Sequence, residues 1–137
     1  MSILFRIVLA AILLSPSASF AQASKKVGAP PAIQAEFDAF IAKFRVALKA
    51  NDSAAIAGMT KLPFMGDKTY SDVAQFRAKA YPEFFTKKNR DCVQRGKAVY
   101  DRDGDNNDNY YITCYEDIFT FTKTPAGFLF TDVGVND

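Results

Sequence analysis

The chain of 137 residues contains no histidine, no tryptophan and only two cysteines. Without histidine, neither a Ser-His-Asp triad nor a Cys-His pair can form. A histidine-containing zinc site is excluded too, and two cysteines are too few for a thiolate zinc site. Acid–base chemistry would fall to Asp, Glu, Tyr or Lys. An excess of either charge is also missing, since 17 Lys and Arg stand against 15 Asp and Glu. Nucleic-acid binding asks for a strongly basic face, so that partner class has no electrostatic case. The cysteines lack Cys-x-x-Cys spacing, which argues against redox catalysis. What is abundant is Phe, with 13, and Tyr, with 6, so the core is built on these rings.

One long apolar run is present, and it stands at the start. Arg6 precedes Ile7-Val8-Leu9-Ala10-Ala11-Ile12-Leu13-Leu14, and Ser15-Pro16-Ser17 breaks the run. Ala21-Gln22-Ala23 then fits the small-x-small pattern of a cleavage site, with Ser19-Phe20-Ala21 as a second. Charged start, short apolar middle and small-residue site make residues 1–23 a signal peptide, cleaved after Ala21 or Ala23. The run is too short for a spanning helix, which needs about 20 apolar residues. No cysteine follows either site, which argues against a lipoprotein. The expectation is an exported protein, periplasmic or secreted, with no membrane span after cleavage. Of 137 residues, losing 23 leaves 114, enough for one domain with a single core.

Residues 24–32, with Lys25-Lys26, Gly28 and Pro30-Pro31, read as a flexible lead-in to a single domain over 33–137. Phe37, Phe40, Ile41, Phe44 and Leu48 recur at helical steps and predict a first helix over Gln34–Ala50. Asp52 caps a second helix that ends by Met59. Leu62-Pro63-Phe64-Met65 reads as a short edge strand or extended loop. A third helix follows over Asp72–Phe85, bent or shortened by Pro82. The basic run Lys87-Lys88-Asn89-Arg90 reads as its solvated C-terminal cap. From Asp91 the period becomes strand-like. Strands are expected over Cys92–Tyr100, Tyr110–Thr122 and Phe128–Val135, joined by an Asp- and Asn-rich loop over Asp101–Asn109 and a turn at Lys123–Gly127. Helices followed by strands predict an α+β domain.

An even cysteine count in an oxidising compartment predicts a Cys92–Cys114 disulfide. A hairpin folded around Asp103 opposes the two directly. One folded near Asp105, with Tyr100 facing Tyr110, opposes Cys92 to about Ile118 and needs a bulge. The loop Asp101-x-Asp103-x-Asp105-x-x-Asp108 has the look of a calcium site. Both EF-hand frames fail, because Gly and Glu are missing at the required positions, so no metal or other cofactor is expected. Asn51-Asp52-Ser53 matches a glycosylation sequon, but capping already accounts for it. Ile112 and Cys114 face inward before Glu116-Asp117, and Phe119 and Phe121 face inward after it. That switch of parity predicts a bulge at Glu116-Asp117. Two readings of the acids stay open: solvated groups on a bend, or a carboxylate inside a pocket with a raised pKa. Tyr81, Tyr115, Glu116 and Asp117 are the candidate pocket residues, with no catalytic residue assigned.

With these elements in place, the chain resembles the cone-shaped α+β fold of nuclear transport factor two, ketosteroid isomerase and polyketide cyclases, often called cystatin-like. The segments that carry the likeness are Gln34–Ala50, Asp52–Met59, Asp72–Phe85 and the strands from Cys92 to Val135. Phe128-Leu129-Phe130-Thr131-Asp132-Val133-Gly134 looks like the closing strand of small exported members, most of which carry no assigned activity. The resemblance implies helices packed on the concave face of a curved antiparallel sheet, and it leaves room for a homodimer through the outer sheet face. The enzymes of this fold use Asp, Tyr or His in the cone, and none of their motifs can be placed here residue by residue. The first expectation is therefore a non-enzymatic periplasmic or secreted domain that binds a small apolar ligand or a protein partner. The alternatives are an isomerase- or cyclase-like enzyme with Glu116 or Asp117 as base, and an inhibitor or immunity-type protein acting through Asp101–Asn109.

Overall fold

The computed structural model describes residues 27–137, so the expected signal peptide and its expected cleavage sites lie outside the described residues. Helix α1 (Pro31–Lys49) starts at Pro31, before the expected Gln34. Proline suits the first helical position, because that N–H has no intrahelical acceptor anyway. The helix buries Phe37, Ile41, Phe44, Ala47 and Leu48 along one stripe, as the periodicity requires. Helix α2 (Ser53–Gly58) is capped by Asp52, whose carboxylate accepts from the Ala55 N–H at 3.0 Å.

The stretch after α2 departs from expectation. Leu62–Met65 is no strand; Phe64–Gly66 forms a 3₁₀ turn that buries the Phe64 ring. The chain touches the sheet edge earlier, at Thr60, which forms a parallel bridge with Phe130. The Phe130 N–H donates to the Met59 carbonyl, and the Lys61 N–H donates to the Phe130 carbonyl.

Helix α3 (residues 73–84) runs through Val73–Gln75, a π-helical Phe76–Ala80 and Tyr81–Phe84. Asp72 caps it by accepting from the Gln75 N–H at 2.8 Å. The π segment is the answer to Pro82. An α-helical Pro82 would clash with the carbonyl of Ala78 and lack the N–H to bond it. Widening the preceding turn, so that the Tyr81 N–H reaches the Phe76 carbonyl, carries the helix past the proline.

Cys92 does not begin a strand. Residues Lys87–Arg95 form a fourth helix, α4, so the basic run opens a helix and does not close one. Thr86 caps it, Asn89 and Val93 face the core one turn apart, and Arg45 of α1 holds its far end. The Arg45 guanidinium donates to the Val93 carbonyl at 3.1 Å and to the Gly96 carbonyl at 2.6 Å. Gly96 is required there, because a Cβ would sit 2.5 Å from the Ile112 side chain. With Cys92 and Val93 as its only apolar residues, α4 is amphipathic through its charges and has no recurring apolar stripe to betray it.

The sheet is antiparallel, curved and unclosed, in the order β1 (Val99–Arg102), β2 (Asp108–Cys114), β3 (Asp117–Thr124), β4 (Gly127–Val135). Tyr100 pairs with Tyr110, the second of the two hairpin registers. The expected long strand Tyr110–Thr122 is broken by a tight turn at Tyr115-Glu116, with Cys114 facing Asp117. This turn, and no bulge, switches the inward parity: two strands paired across a two-residue turn show one face through residues of opposite parity. The bulge lies instead between Thr120 and Phe121, where β4 carries one extra residue, Thr131. The fold class is α+β, as expected.

The disulfide Cys92–Cys114 is present, with Cα atoms 5.8 Å apart. It joins α4 to the end of β2, so the pairing is as expected while neither hairpin register produces it.

Candidate functional site

The residues nominated from the sequence go to different places. Tyr81 is buried in α3, and its hydroxyl donates to Asn51 Oδ1 at 2.8 Å. Burial pushes its phenol pKa up. Tyr115 is 58% exposed at the β2–β3 turn, with a left-handed φ of 60°. The Lys88 ammonium sits over its ring, 3.6 Å from the centroid. Glu116 is exposed, and its carbonyl accepts from the Asn136 N–H at 2.7 Å. Asp117 is half-buried and accepts from Asn89 Nδ2 at 2.8 Å. Asn89 also donates to the Phe84 carbonyl, so this carboxylate is tied into the packing of α3 and α4 against β3. Tyr115, Glu116 and Asp117 are thus neighbours on one turn, and Tyr81 lies in the helical layer.

The concave side of the sheet is full. Phe37 stacks on Tyr110 with ring centroids 3.7 Å apart and planes 3° from parallel. Phe44 meets Phe121 edge to face at 5.1 Å, and Phe130 reaches Phe64, Phe85 and Phe119. These rings are buried almost completely. Their spacings are those of ordinary aromatic packing, and they leave the interior to the protein itself. The Tyr110 hydroxyl donates to Gln34 Oε1 at 2.8 Å, and burial pushes its pKa up to about 12.

Open space lies on the opposite face. A cleft of about 590 Å³ is lined by Lys61, Asp103, Asn107, Asn109, Thr122, Lys123, Thr124, Pro125, Ala126, Leu129 and Thr131. That volume is within the range of small-molecule sites. Its floor is the outer row of the sheet, where Asn109 pairs with Thr122 and Thr122 with Leu129. Asn109 is 3% exposed, and its side chain is fully engaged. Its Oδ1 accepts from the Thr122 hydroxyl at 2.7 Å and its amide donates to Asp103 at 2.9 Å. The Thr131 hydroxyl lies 2.8 Å from that of Thr122 and 3.2 Å from the Thr120 carbonyl, and its single proton serves one of the two. One wall is the β1–β2 loop and the other is the turn Thr124–Gly127, where Gly127 takes a φ of 103°.

The loop wall is built on one carboxylate. Asp103 accepts from the backbone N–H of Asp105 and of Asn107, both at 2.9 Å, and from the side-chain amides of Asn107 and Asn109. Bonds to the charged form hold its pKa down at about 2. Arg102 and Tyr100 clasp Asp108 at the loop's exit, the tyrosine hydroxyl donating at 2.6 Å. This bond raises the Tyr100 pKa. Among the described residues no three of His, Cys, Asp and Glu converge as metal ligands would.

Tyr111 lines a second, more apolar outer-face cleft of about 530 Å³ with Lys97, Val99, Thr113 and Ile118. None of the nominated pocket residues lines either cleft. Asn109, Thr122, Thr131 and Lys61 carry no motif, and polar residues alternating along a strand look like any solvated face. Their one signal was the loop, singled out above for its acids. No family model, no curated protein and no solved structure matches this chain. Among the described residues no helix is long and apolar enough to cross a membrane.

Proposed function

We propose that this chain is a non-enzymatic exported domain that binds its ligand or partner through the outer-face cleft between the β1–β2 loop and the Thr124–Gly127 turn. One contrast carries the reading: aromatic rings fill the concave interior, while a polar cleft stands open on the other face. Helices against the inside of a curved, unclosed antiparallel sheet fit the cone-shaped family named above. In the enzymes of that family the chemistry sits inside the cone. Here Phe37, Phe44, Phe121 and Phe130 occupy that space, which leaves a small apolar ligand little room. The base of an isomerase-like site would be Glu116 or Asp117, and these lie at an outer turn and in a packing contact. The disulfide suits an oxidising compartment, in keeping with export.

A protein partner gripped by Asp101–Asn109 is the second reading. The ordering of that loop around Asp103 favours it, since a pre-formed loop loses little entropy on binding. Both readings use the same surface. Native mass spectrometry of the protein purified from its own host tests them together. A co-purifying molecule should be lost from an Ala126→Trp variant, which fills the cleft from an exposed position. Retention of that molecule by the variant would sink both.

A further inference from the structure

We infer that the outer-face cleft selects a small zwitterion, a molecule bearing an ammonium and a carboxylate, of the free amino acid or short-peptide class. The inference rests on the reading just given and adds the chemistry of the ligand. It begins with the charges lining the cleft. Lys123 is paired with Glu36 at 2.6 Å. Lys61 and Asp103 are not paired: neither makes a salt bridge among the described residues. Asp103 is held by four amide donors, all neutral, so its orientation is fixed while its charge is uncompensated. Its position does not depend on the ligand, which makes it a preorganised negative pole. Lys61 follows Thr60, which is anchored to β4 and by its hydroxyl to the Ile56 carbonyl. The lysine is therefore a positive pole on a fixed base.

The two poles line one cleft without meeting. A monoanion would satisfy Lys61 and set its own charge against Asp103; a monocation would do the reverse. A neutral sugar would hydrogen-bond to both groups but bring an opposite charge to neither, and so gains less here than a zwitterion. A zwitterion answers both at once and keeps the cleft neutral, which is the condition for electrostatic complementarity. Leu129, Pro125 and Ala126 give the same cleft an apolar flank for a side chain.

The test uses nuclear magnetic resonance titration of the isotope-labelled protein with leucine, glycyl-leucine, N-acetyl-glycyl-leucine and glycyl-leucine amide. Leucine against glycyl-leucine separates free amino acid from peptide. Expected are shifts at Asn107, Thr122, Ala126 and Leu129 with a zwitterion, and binding at least about tenfold weaker when either end is capped, since each cap removes one of the ligand's two charges and its attraction to the opposite pole. Lys61→Met should weaken the uncapped ligand about tenfold and leave the amide's weak binding unchanged, because the amide has no carboxylate for Lys61 to hold. Lys61 is exposed, so the variant folds. Equal binding of capped and uncapped forms at these residues would overturn the zwitterion and leave the outer cleft standing as the site. A cleft that answers none of the four probes would also overturn it, and the Ala126→Trp experiment then decides the broader reading separately.

Discussion

The two faces of one sheet are made by the same four strands and are built in opposite ways. Inward, β2, β3 and β4 present Tyr110, Ile112, Cys114, Phe119, Phe121, Phe128 and Phe130, closed over by α1. Outward, the same strands present Thr122 and Thr131, partly open to solvent, and the buried Asn109, joined by hydrogen bonds. Neighbours in the sequence therefore belong to different physics: one side chain is held by dispersion and the loss of water, the next by direction and charge. On the proposed reading, stability and recognition fall to separate faces, so changes on one should leave the other intact.

The largest break in that comparison is at Phe130. It is fully buried and packs against Phe44, Phe64, Phe85, Phe119 and Phe121. Phe130→Ala should cost about 3–5 kcal/mol, the transfer loss plus a cavity that rigid neighbours cannot refill. Urea denaturation measures it. A loss under about 1 kcal/mol would mean that the interior is not the closed core described above.

Next in size is the disulfide. A Cys92→Ala, Cys114→Ala double variant should lose about 2–4 kcal/mol by the same assay. Cys114 belongs to the inner face and Cys92 to α4, so the loss should loosen α4 and spare the outer row. Hydrogen exchange separates these: faster exchange at Val93 with Asn109 unchanged is expected. Equal acceleration at both would show that the faces are not independent.

Smaller again is Thr131, the residue next to Phe130 in sequence and the extra one of the β-bulge. Thr131→Ala removes the one hydrogen bond its hydroxyl donates, to Thr122 or to the Thr120 carbonyl. It should cost about 1 kcal/mol. If it rivals Phe130→Ala, the outer face is structural and not a binding surface.

How far these faces could be read beforehand depends on what each is made of. The inner face was legible, because Phe at helical steps in α1 and at alternate positions in β3 can serve little else. The parity switch between Cys114 and Phe119 was legible as well, but its cause was not. A tight turn at Tyr115-Glu116 has none of the Gly or Asn that announces one, since Tyr115 takes the left-handed conformation at a cost of about 1 kcal/mol. Helix α4 was hidden by its composition. Its apolar contribution is little more than Val93, and its position is fixed by distant groups, the Arg45 guanidinium and Cys114. The cleft was hidden for a similar reason. Lys61, Asn109 and Thr131 are brought together by strand pairing alone, and each is unremarkable in its own segment.

The finest test separates the faces by pH, because each holds one strongly shifted group of opposite kind. Asp103, on the outer wall, is held down at about 2 by amides that bond its charged form. A depressed carboxylate stabilises its surroundings above its ordinary pKa near 3.8, and that contribution fades as pH falls through about 2. Acid should therefore open the β1–β2 loop first. Tyr110, on the inner face, is pushed up to about 12 by burial. A raised phenol stabilises the fold fully below pH 10, and that contribution is lost as pH rises through about 12. Alkali should therefore strike the aromatic core, where an ionised Tyr110 would sit against the Phe37 ring. The measurement is a pair of titrations followed at the Asn107 Hα signal and at the Phe37 and Phe121 ring signals. Between pH 4 and 2 the Asn107 signal should move while the ring signals hold; between pH 10 and 12 the order should reverse. Because Asp103 is tied to the sheet through Asn109 and Thr122, the rings could be drawn along in acid. If both sets of signals shift together at either extreme, the hydrogen-bonded outer row is coupled to the core, and the division of labour between the faces fails.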